Sequence, residues 1–251
     1  MLNNKKIAAV IPAFNTEKTL EKTLKAIPEG IVDFIIVVDD GSSDATVEIA
    51  KRNSVNLVSH EKNKGYGAAQ KTGYKEALKL GADVAVMVHS DFQYDPTRLP
   101  EMVKKLVIGE ADVCFGSRMN IKGDARKGGM PWWRFVANVI LTKVEDTVFH
   151  LGLTEYHTGY RAYSRELLQR IPIELNSDNY VFDTEMFAQI ALGKFKVAEI
   201  PIPTRYTEES RSPSFYKSLE YGFMTLGVLA KFLLHKNNFK KFANLDVKPK
   251  N

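Results

Sequence analysis

The chain has 251 residues, 44% hydrophobic and 26% charged, which excludes a disordered or fibrous protein and suffices for one sizeable core. Its only cysteine, Cys114, lies in an apolar run and reads as a buried thiol, which excludes an intramolecular disulfide and fits a reducing compartment. The formal net charge of +5 resides wholly in the six lysines from Lys231 onward, opposed there only by Asp246; the remainder holds 29 basic and 29 acidic residues, a distribution that argues against nucleic acid and suits either a solvated tail or an anionic membrane surface.

The N-terminal segment has a basic start but no adequate apolar stretch ahead of the first strand, so no signal peptide is read and a cytoplasmic protein is expected. Residues 6–12 (KIAAVIP) read as a short buried strand, with Thr16 as cap of a helix carrying Leu20, Leu24 and Ile27 at helical spacing. Residues 34–38 (FIIVV) are a second strand, ending in Asp39, Asp40 and Gly41, and Ser43 or Asp44 caps the next helix. Residues 55–59 and 66–80 give a third strand and helix. A fourth strand over residues 84–88 stops at His89, Ser90 and Asp91, and Asp95 caps a helix that begins at Pro96. This fourfold alternation predicts an α/β fold with right-handed crossovers and a mostly parallel, Rossmann-like sheet flanked by helices.

Ligands collect outside the carboxyl ends of the strands in such sheets. Asp39 and Asp40, two adjacent carboxylates that need a cation or several donors, arrive at one such end. His89, Asp91 and Gln93 arrive at another, where a metal or phosphate would be handled. The loop of residues 63–67, with Lys64 and Gly65, offers backbone N–H groups and a lysine to an anion. It is neither a P-loop nor a dinucleotide fingerprint, because both require glycine where Gln70 stands.

Residues 112–115 predict a further strand, followed by Gly116, Ser117 and Arg118 and a basic loop with Lys122, Arg126 and Lys127. Trp132 and Trp133, beside Arg134, suit either a bilayer interface or core packing at the start of an apolar helix running through Leu151. A helix from Tyr180 to Leu192 carries Asp183 and Glu185, and residues 195–201 read as a strand leading to Arg205. Residues 215–234 are amphipathic. From 219 to 234 a helix would span about 24 Å, short of the roughly 30 Å hydrocarbon core, so it is expected to lie on the sheet or on a membrane surface. The division read from this is a main domain over residues 1–210 and an amphipathic helix with a basic tail over 211–251.

VIPAFNTEKTL, VVDDGSSDAT, the NKGYGAA loop and a strand end with Asp91, Gln93 and Asp95-Pro96, in that order, resemble the family 2 glycosyltransferases of GT-A fold. Within them the chain is most similar to the dolichyl-phosphate mannosyltransferase type of polyprenyl-phosphate glycosyltransferases. The resemblance implies inverting, metal-dependent transfer from a GDP- or UDP-sugar to a polyprenyl phosphate, with Mn²⁺ or Mg²⁺, by a protein peripheral on the cytosolic face of a membrane. It implies that Pro12, Phe14, Asn15 and Glu17 line the base or ribose and that Asp39 and Asp40 meet the nucleoside. Lys64, Gly65, His89 and Ser90 would face the donor, and Asp91 and Gln93 the metal. Arg118 would hold a phosphate, and Arg161 either a donor group or a structural carboxylate. Arg205 would meet the anionic acceptor, and Asp183 is the position of the catalytic base in members that glycosylate hydroxyls.

The sequence departs from the pattern at His89, where the first aspartate of D-x-D is expected, and at Glu155, where an aspartate is common. His89 is open to three roles: metal ligand, hydrogen-bond partner of ribose or phosphate, or mark of a damaged site. Two other functions stay open beside the favoured one, transfer to a hydroxyl with Asp183 as base and sugar-nucleotide binding without turnover.

Overall fold

Every residue of β1 (Ile7–Ala13) except Pro12 is buried, as befits a strand covered on both faces. The computed structural model describes residues 4–121, 123–203 and 215–248. β1 pairs in parallel with β2 (Phe34–Asp39) and β4 (Val84–Met87), and β2 with β3 (Asn56–Ser59). The connecting helices are α1 (Leu20–Ala26), α2 (Thr46–Arg52) and α3 (Tyr66–Lys79). After α4 (Leu99–Val107), β5 (Val113–Ser117), α5 (Asp124–Lys127) and α6 (Trp132–Phe149), the chain forms β6 (Arg161–Ser164), α7 (Arg165–Arg170), α8 (Phe182–Gly193), β7 (Val197–Pro201) and α9 (Phe215–Lys236). The resulting seven-stranded sheet has the order β3-β2-β1-β4-β6-β5-β7, the mostly parallel architecture that the alternation predicts.

β6 is the exception. It inserts antiparallel between β4 and β5, and the sequence did not reveal it, because four residues beginning with an arginine carry too little periodicity to read as a strand. The insertion brings the segment before β6, including Gly159, alongside the end of β4.

Side-chain alternation divides the core. Ala8 and Val10 join Ile36, Val38 and Met87 on one face, where α3, α8 and Val228, Leu229 and Phe232 of α9 cover them. Ile7, Ala9 and Ile11 join Val37, Val84 and Val86 on the other, with Leu20 and Leu24 of α1 and Leu99, Met102 and Val103 of α4. Cys114 is enclosed there, and burial pushes its thiol up to about 12, consistent with an inert core group.

Two details differ from expectation. Thr16 does not cap α1 with its hydroxyl; its carbonyl accepts the N–H groups of Thr19 and Leu20, while its own N–H donates to Thr46 Oγ1 at 2.8 Å. α9 has 22 residues and so spans about 33 Å; its length would therefore suffice for a bilayer. No helix among the described residues is both long and apolar enough to cross a membrane, so polarity, not length, decides. The Asp95 cap is present: Oδ1 accepts the Thr97 N–H at 3.0 Å, in a 3₁₀ turn over Pro96–Arg98 that runs into α4.

α3 lies unusually close to the sheet because of Gly73, where a Cβ would stand 2.2 Å from Val10 Cγ1 and 3.2 Å from Val38 Cγ2. Alanine would gain roughly 1 kcal/mol of helix propensity, whereas overpacking costs about 1–3 kcal/mol. Because the Cβ would stand only 2.2 Å from Val10 Cγ1, the upper part of the overpacking range applies, and Gly73→Ala is expected to lower the urea midpoint, with a net loss of up to about 2 kcal/mol of stability; an unchanged or higher midpoint would show that the helix can move outward freely.

Candidate active site

The loops after β1 and β2 are tied together by the residues expected at the nucleoside. The Asn15 N–H donates to Ser42 Oγ at 2.8 Å, and Asn15 Oδ1 accepts the Ser43 N–H at 2.7 Å, with Asn15 at φ +49°. Glu17 Oε2 accepts the Ala45 N–H at 3.0 Å, and Asp44 Oδ2 the Glu17 N–H at 3.1 Å. Asp39 Oδ1 accepts the Ser42 N–H at 3.1 Å. Pro12 is the next-to-last residue of β1, beside this pair of loops, and Phe14 is 36% exposed next to them.

Asp40 differs from its neighbour. Its Oδ1 accepts the Lys64 N–H at 2.9 Å and lies 2.7 Å from His60 Nδ1, and its Oδ2 accepts the Gly65 N–H at 2.9 Å. His60 Nε2 is fixed in turn by Thr72 Oγ1 at 2.9 Å. The carboxylate thus closes the loop of residues 60–65. This corrects the expectation of a free anion cradle: the N–H groups of Lys64 and Gly65 are spent on Asp40, and those of Gly67 and Ala68 on the Asp178 carbonyl.

At the end of β4 the chain turns sharply through Phe92, at φ +58°, a conformation unusual for a bulky residue and common where a site is shaped. Asp91 Oδ1 accepts the Gln93 N–H at 3.1 Å, closing the turn. The Ser90 hydroxyl donates to the Pro12 carbonyl at 2.8 Å, so it secures β4 to β1 and does not point to a donor. His89 Nδ1 stands 3.9 Å from Asp91 Oδ1. Its ring lies edge-on to Tyr94 at 4.7 Å, and its Nε2 is enclosed without a hydrogen-bond partner. The ring fits only because residue 159 is glycine, since a Cβ there would stand 2.1 Å from Nε2. Burial, only partly offset by Asp91 and Asp183, holds the imidazole below its ordinary value, so it is neutral at pH 7.

Among the described residues, no group of three or more His, Cys, Asp or Glu side chains could hold a metal by itself. The donors at this turn are the His89 ring, the Asp91 carboxylate and the Gln93 amide. That set fits a divalent ion which also draws oxygen from a bound ligand, as Mg²⁺ and Mn²⁺ do with diphosphates.

A cavity of about 210 Å³ opens beside the turn. His89, Gln93 and Tyr94 form one wall; Tyr66 and Asp183 stand at another. Arg118 follows β5, Trp133, Arg134 and Asn138 come from α6, and Lys217 and Tyr221 from α9. Arg118 lines the cavity and is firmly held: its guanidinium bonds to Glu155 and to the His157 carbonyl, and its N–H donates to Glu155 Oε2 at 2.7 Å. Burial alone would raise the Glu155 carboxyl. Arg118, with hydrogen bonds from Arg118 and Asn138, outweighs it and holds the group below the usual carboxylate range. His157 packs edge-on against Tyr221, and its Nε2 stands 3.0 Å from the buried Glu145 Oε2.

Arg161 corrects the ligand-contacting alternative. Its side chain is fully buried, ion-paired with Asp183 at 3.2 Å and bonded to the carbonyls of Thr158 and Asp183 at 2.8 and 3.2 Å. The Asp183 oxygens are engaged further by Gln70 Nε2 at 3.1 Å and the Tyr66 hydroxyl at 3.3 Å. The sequence marks Gln70 and Tyr66 as site residues only weakly, through an uncharged polar residue on an Ala- and Gly-rich helix face. Arg205 and Lys122 lie outside the described residues.

The model of the family described as "Glycosyl transferase family 2" matches residues 8–172. The UDP-N-acetylglucosamine--dolichyl-phosphate N-acetylglucosaminyltransferase of Methanococcus voltae is 31% identical over 224 residues, covering 82% of this chain and 88% of its own. The polyprenol monophosphomannose synthase of Mycolicibacterium smegmatis is 28% identical, covering 77% of this chain and 75% of its own. Among solved structures, glucosyl-3-phosphoglycerate synthase from Mycobacterium tuberculosis, in complex with Mn²⁺, UDP and glucosyl-3-phosphoglycerate, aligns with a TM-score of 0.72 at 21% identity, over 91% of this chain and 80% of its own. That protein is also known with Mg²⁺ and UDP, and the likeness is one of fold. The matched family model and the relatives that span most of this chain place it in glycosyl transferase family 2, as a glycosyltransferase.

Proposed function

We propose that this glycosyltransferase moves a sugar, with inversion, from a nucleoside-diphosphate sugar to a polyprenyl phosphate while docked peripherally on the cytosolic face of a membrane. One observation carries the choice of acceptor: two of the helices that line the cavity, α6 and α9, also expose apolar stripes. α6 contributes Trp133, Arg134 and Asn138 to the cavity while Trp132, 67% exposed, and Val136, Val139, Ile140 and Val144 face outward. α9 contributes Lys217 and Tyr221 while Tyr216, Leu219, Phe223 and Leu226 face outward. An isoprenoid phosphate has the matching halves, an anion for Arg118, Arg134 and Lys217 and an apolar chain for the stripes.

Asp91 and Gln93 are the proposed metal-holding residues; a bound Mn²⁺ or Mg²⁺ would neutralise the diphosphate as it leaves. Asp39, Phe14 and the cross-linked loops after β1 and β2 would position the nucleoside. The acceptor phosphate, with a second pKa near 6, is largely dianionic at neutral pH and attacks without a general base. The surroundings of Asp183 favour this reading over a hydroxyl acceptor. A carboxylate already occupied by Arg161, Gln70 and Tyr66 must surrender a bond before it can take a proton. Arg205 is retained as a proposed acceptor contact on the strength of the family resemblance.

The direct test is a screen of GDP- and UDP-sugars against polyprenyl phosphate in detergent, with Mn²⁺ and Mg²⁺ compared; lipid-dependent product with one donor is expected, and product with a soluble hydroxyl acceptor alone would overturn the assignment. Asp91→Ala should lower kcat by about 10²–10³-fold or more, the scale of losing one preorganised electrostatic contact. Asp183→Asn should slow phosphate glycosylation by less than about tenfold per folded molecule, against several powers of ten were it the base; thermal unfolding must accompany the assay, because Arg161 loses its partner. Trp132→Asp combined with Phe223→Asp should weaken co-sedimentation with anionic vesicles by roughly tenfold or more, each apolar side chain contributing about 1.5–3 kcal/mol when fully buried.

A further inference from the structure

We propose that His89 is itself a metal ligand, through Nδ1, and that this makes the site select a first-row transition ion such as Mn²⁺ over Mg²⁺. The inference rests on the metal-dependent reading above and deepens it. Of the two ring nitrogens, Nε2 is enclosed against Gly159 and cannot reach a ligand, whereas Nδ1 faces the Asp91 carboxylate. The 3.9 Å from Nδ1 to Asp91 Oδ1 is too long for a hydrogen bond. It falls between the separations of two donors that share one ion, which for bonds of about 2.1 Å are about 3.0 Å at a right angle and about 4.2 Å when opposed.

The ring is also held in place for the task. Tyr94 packs edge-on against it, and the Tyr94 hydroxyl accepts the Gly159 N–H at 3.2 Å, so the wall behind the imidazole and the wall beside it are one unit. The absence of a Cβ at Gly159 is what admits an imidazole there. An aspartate at residue 89 would give a second anionic oxygen donor; His89 gives a neutral nitrogen. The protein then contributes one negative charge to the metal through Asp91, with Gln93 neutral. Imidazole nitrogen suits transition ions, while Mg²⁺ prefers oxygen and keeps its water. With so few anionic donors, metal binding should also depend on the nucleoside diphosphate, whose oxygens complete the coordination.

The test is electron paramagnetic resonance of Mn²⁺ added to the full chain, alone and with UDP or GDP. Tight Mn²⁺ binding is expected only with a nucleotide present, and pulsed spectra should show a directly coordinated nitrogen. Protein grown with histidine carrying the heavier nitrogen isotope should change that coupling, which needs no substitution. His89→Asp should abolish the coupling and shift the Mn²⁺ to Mg²⁺ affinity ratio toward Mg²⁺ by roughly tenfold. Mn²⁺ held with nucleotide but without nitrogen coupling would overturn the ligand assignment and leave the metal reading intact. Coupling that persists in His89→Asp would reassign it to another nitrogen, with the same effect. Failure of Mn²⁺ to bind with either nucleotide would overturn the metal reading, and this inference with it.

Discussion

The arrangement of the cavity depends on one buried ion pair, Arg161 with Asp183. A guanidinium taken wholly out of water costs several kcal/mol, a cost that only near-complete hydrogen bonding offsets. Here the fork meets the Asp183 carboxylate, the Asp183 and Thr158 carbonyls and, more distantly, the Tyr156 carbonyl, and it stacks on Phe115 and Phe187. Burial works against the charge, yet Asp183 more than compensates and holds Arg161 protonated. The pair joins the first residue of β6 to the first turn of α8, so the antiparallel strand that interrupts the sheet is bolted to the helix beneath the cavity.

A second pair acts at the other end of the same segment. Glu155 is enclosed with Arg118 and Asn138, and Glu199 on β7 accepts the N–H groups of Thr154 and Glu155 at 3.0 and 3.3 Å. Residues 155–161 are therefore gripped at both ends, with Gly159 between the grips. Such pairs add little net stability over apolar replacements, but breaking one costs about 3–5 kcal/mol. Their effect is positional: the backbone at Gly159 cannot retreat from His89, nor can Arg118 swing away from the cavity. The longer Glu155, in place of an aspartate, still spans to both the side chain and the N–H of Arg118.

The sequence made the strands, their polar ends and the family resemblance legible, because apolar runs and strand-end carboxylates are local signals. It could not separate Asp39 from Asp40. Both stand in one motif, and which carboxylate closes a loop depends on N–H groups that lie 24 and 25 residues away. The same limit applies to Arg161, whose residue type is equally apt for a phosphate or for Asp183, and to Lys64 and Gly65, whose N–H groups look free until Asp40 is placed. β6 was invisible for a different reason: its identity as a strand comes from its neighbours β4 and β5, not from its own four residues.

The strand-end loops and the helices at the cavity are built by different physics. The loops after β1 and β2 and the loop of residues 60–65 are cross-linked by short polar bonds between segments far apart in sequence, as between Asn15 and Ser43, Glu17 and Ala45, and Asp40 and Gly65. Such a network gives a rigid surface suited to a nucleotide of fixed shape. The α6 and α9 side has apolar residues on both its inner and outer surfaces. α9 buries Val228, Leu229 and Phe232 while exposing Leu219, Phe223 and Leu226 at helical spacing. A helix apolar on two faces gains from a second apolar phase and loses little specificity there, because dispersion and hydrophobic contacts are not directional. In the proposed reaction this division matches the substrates. The donor is recognised by directed bonds. The acceptor is recognised by its phosphate alone, and its chain only needs a phase to lie in. The face that would meet the membrane must then also frame the cavity, since an isoprenoid phosphate brings its anion no farther from the bilayer than its headgroup reaches, and α6 and α9 are the helices that do both.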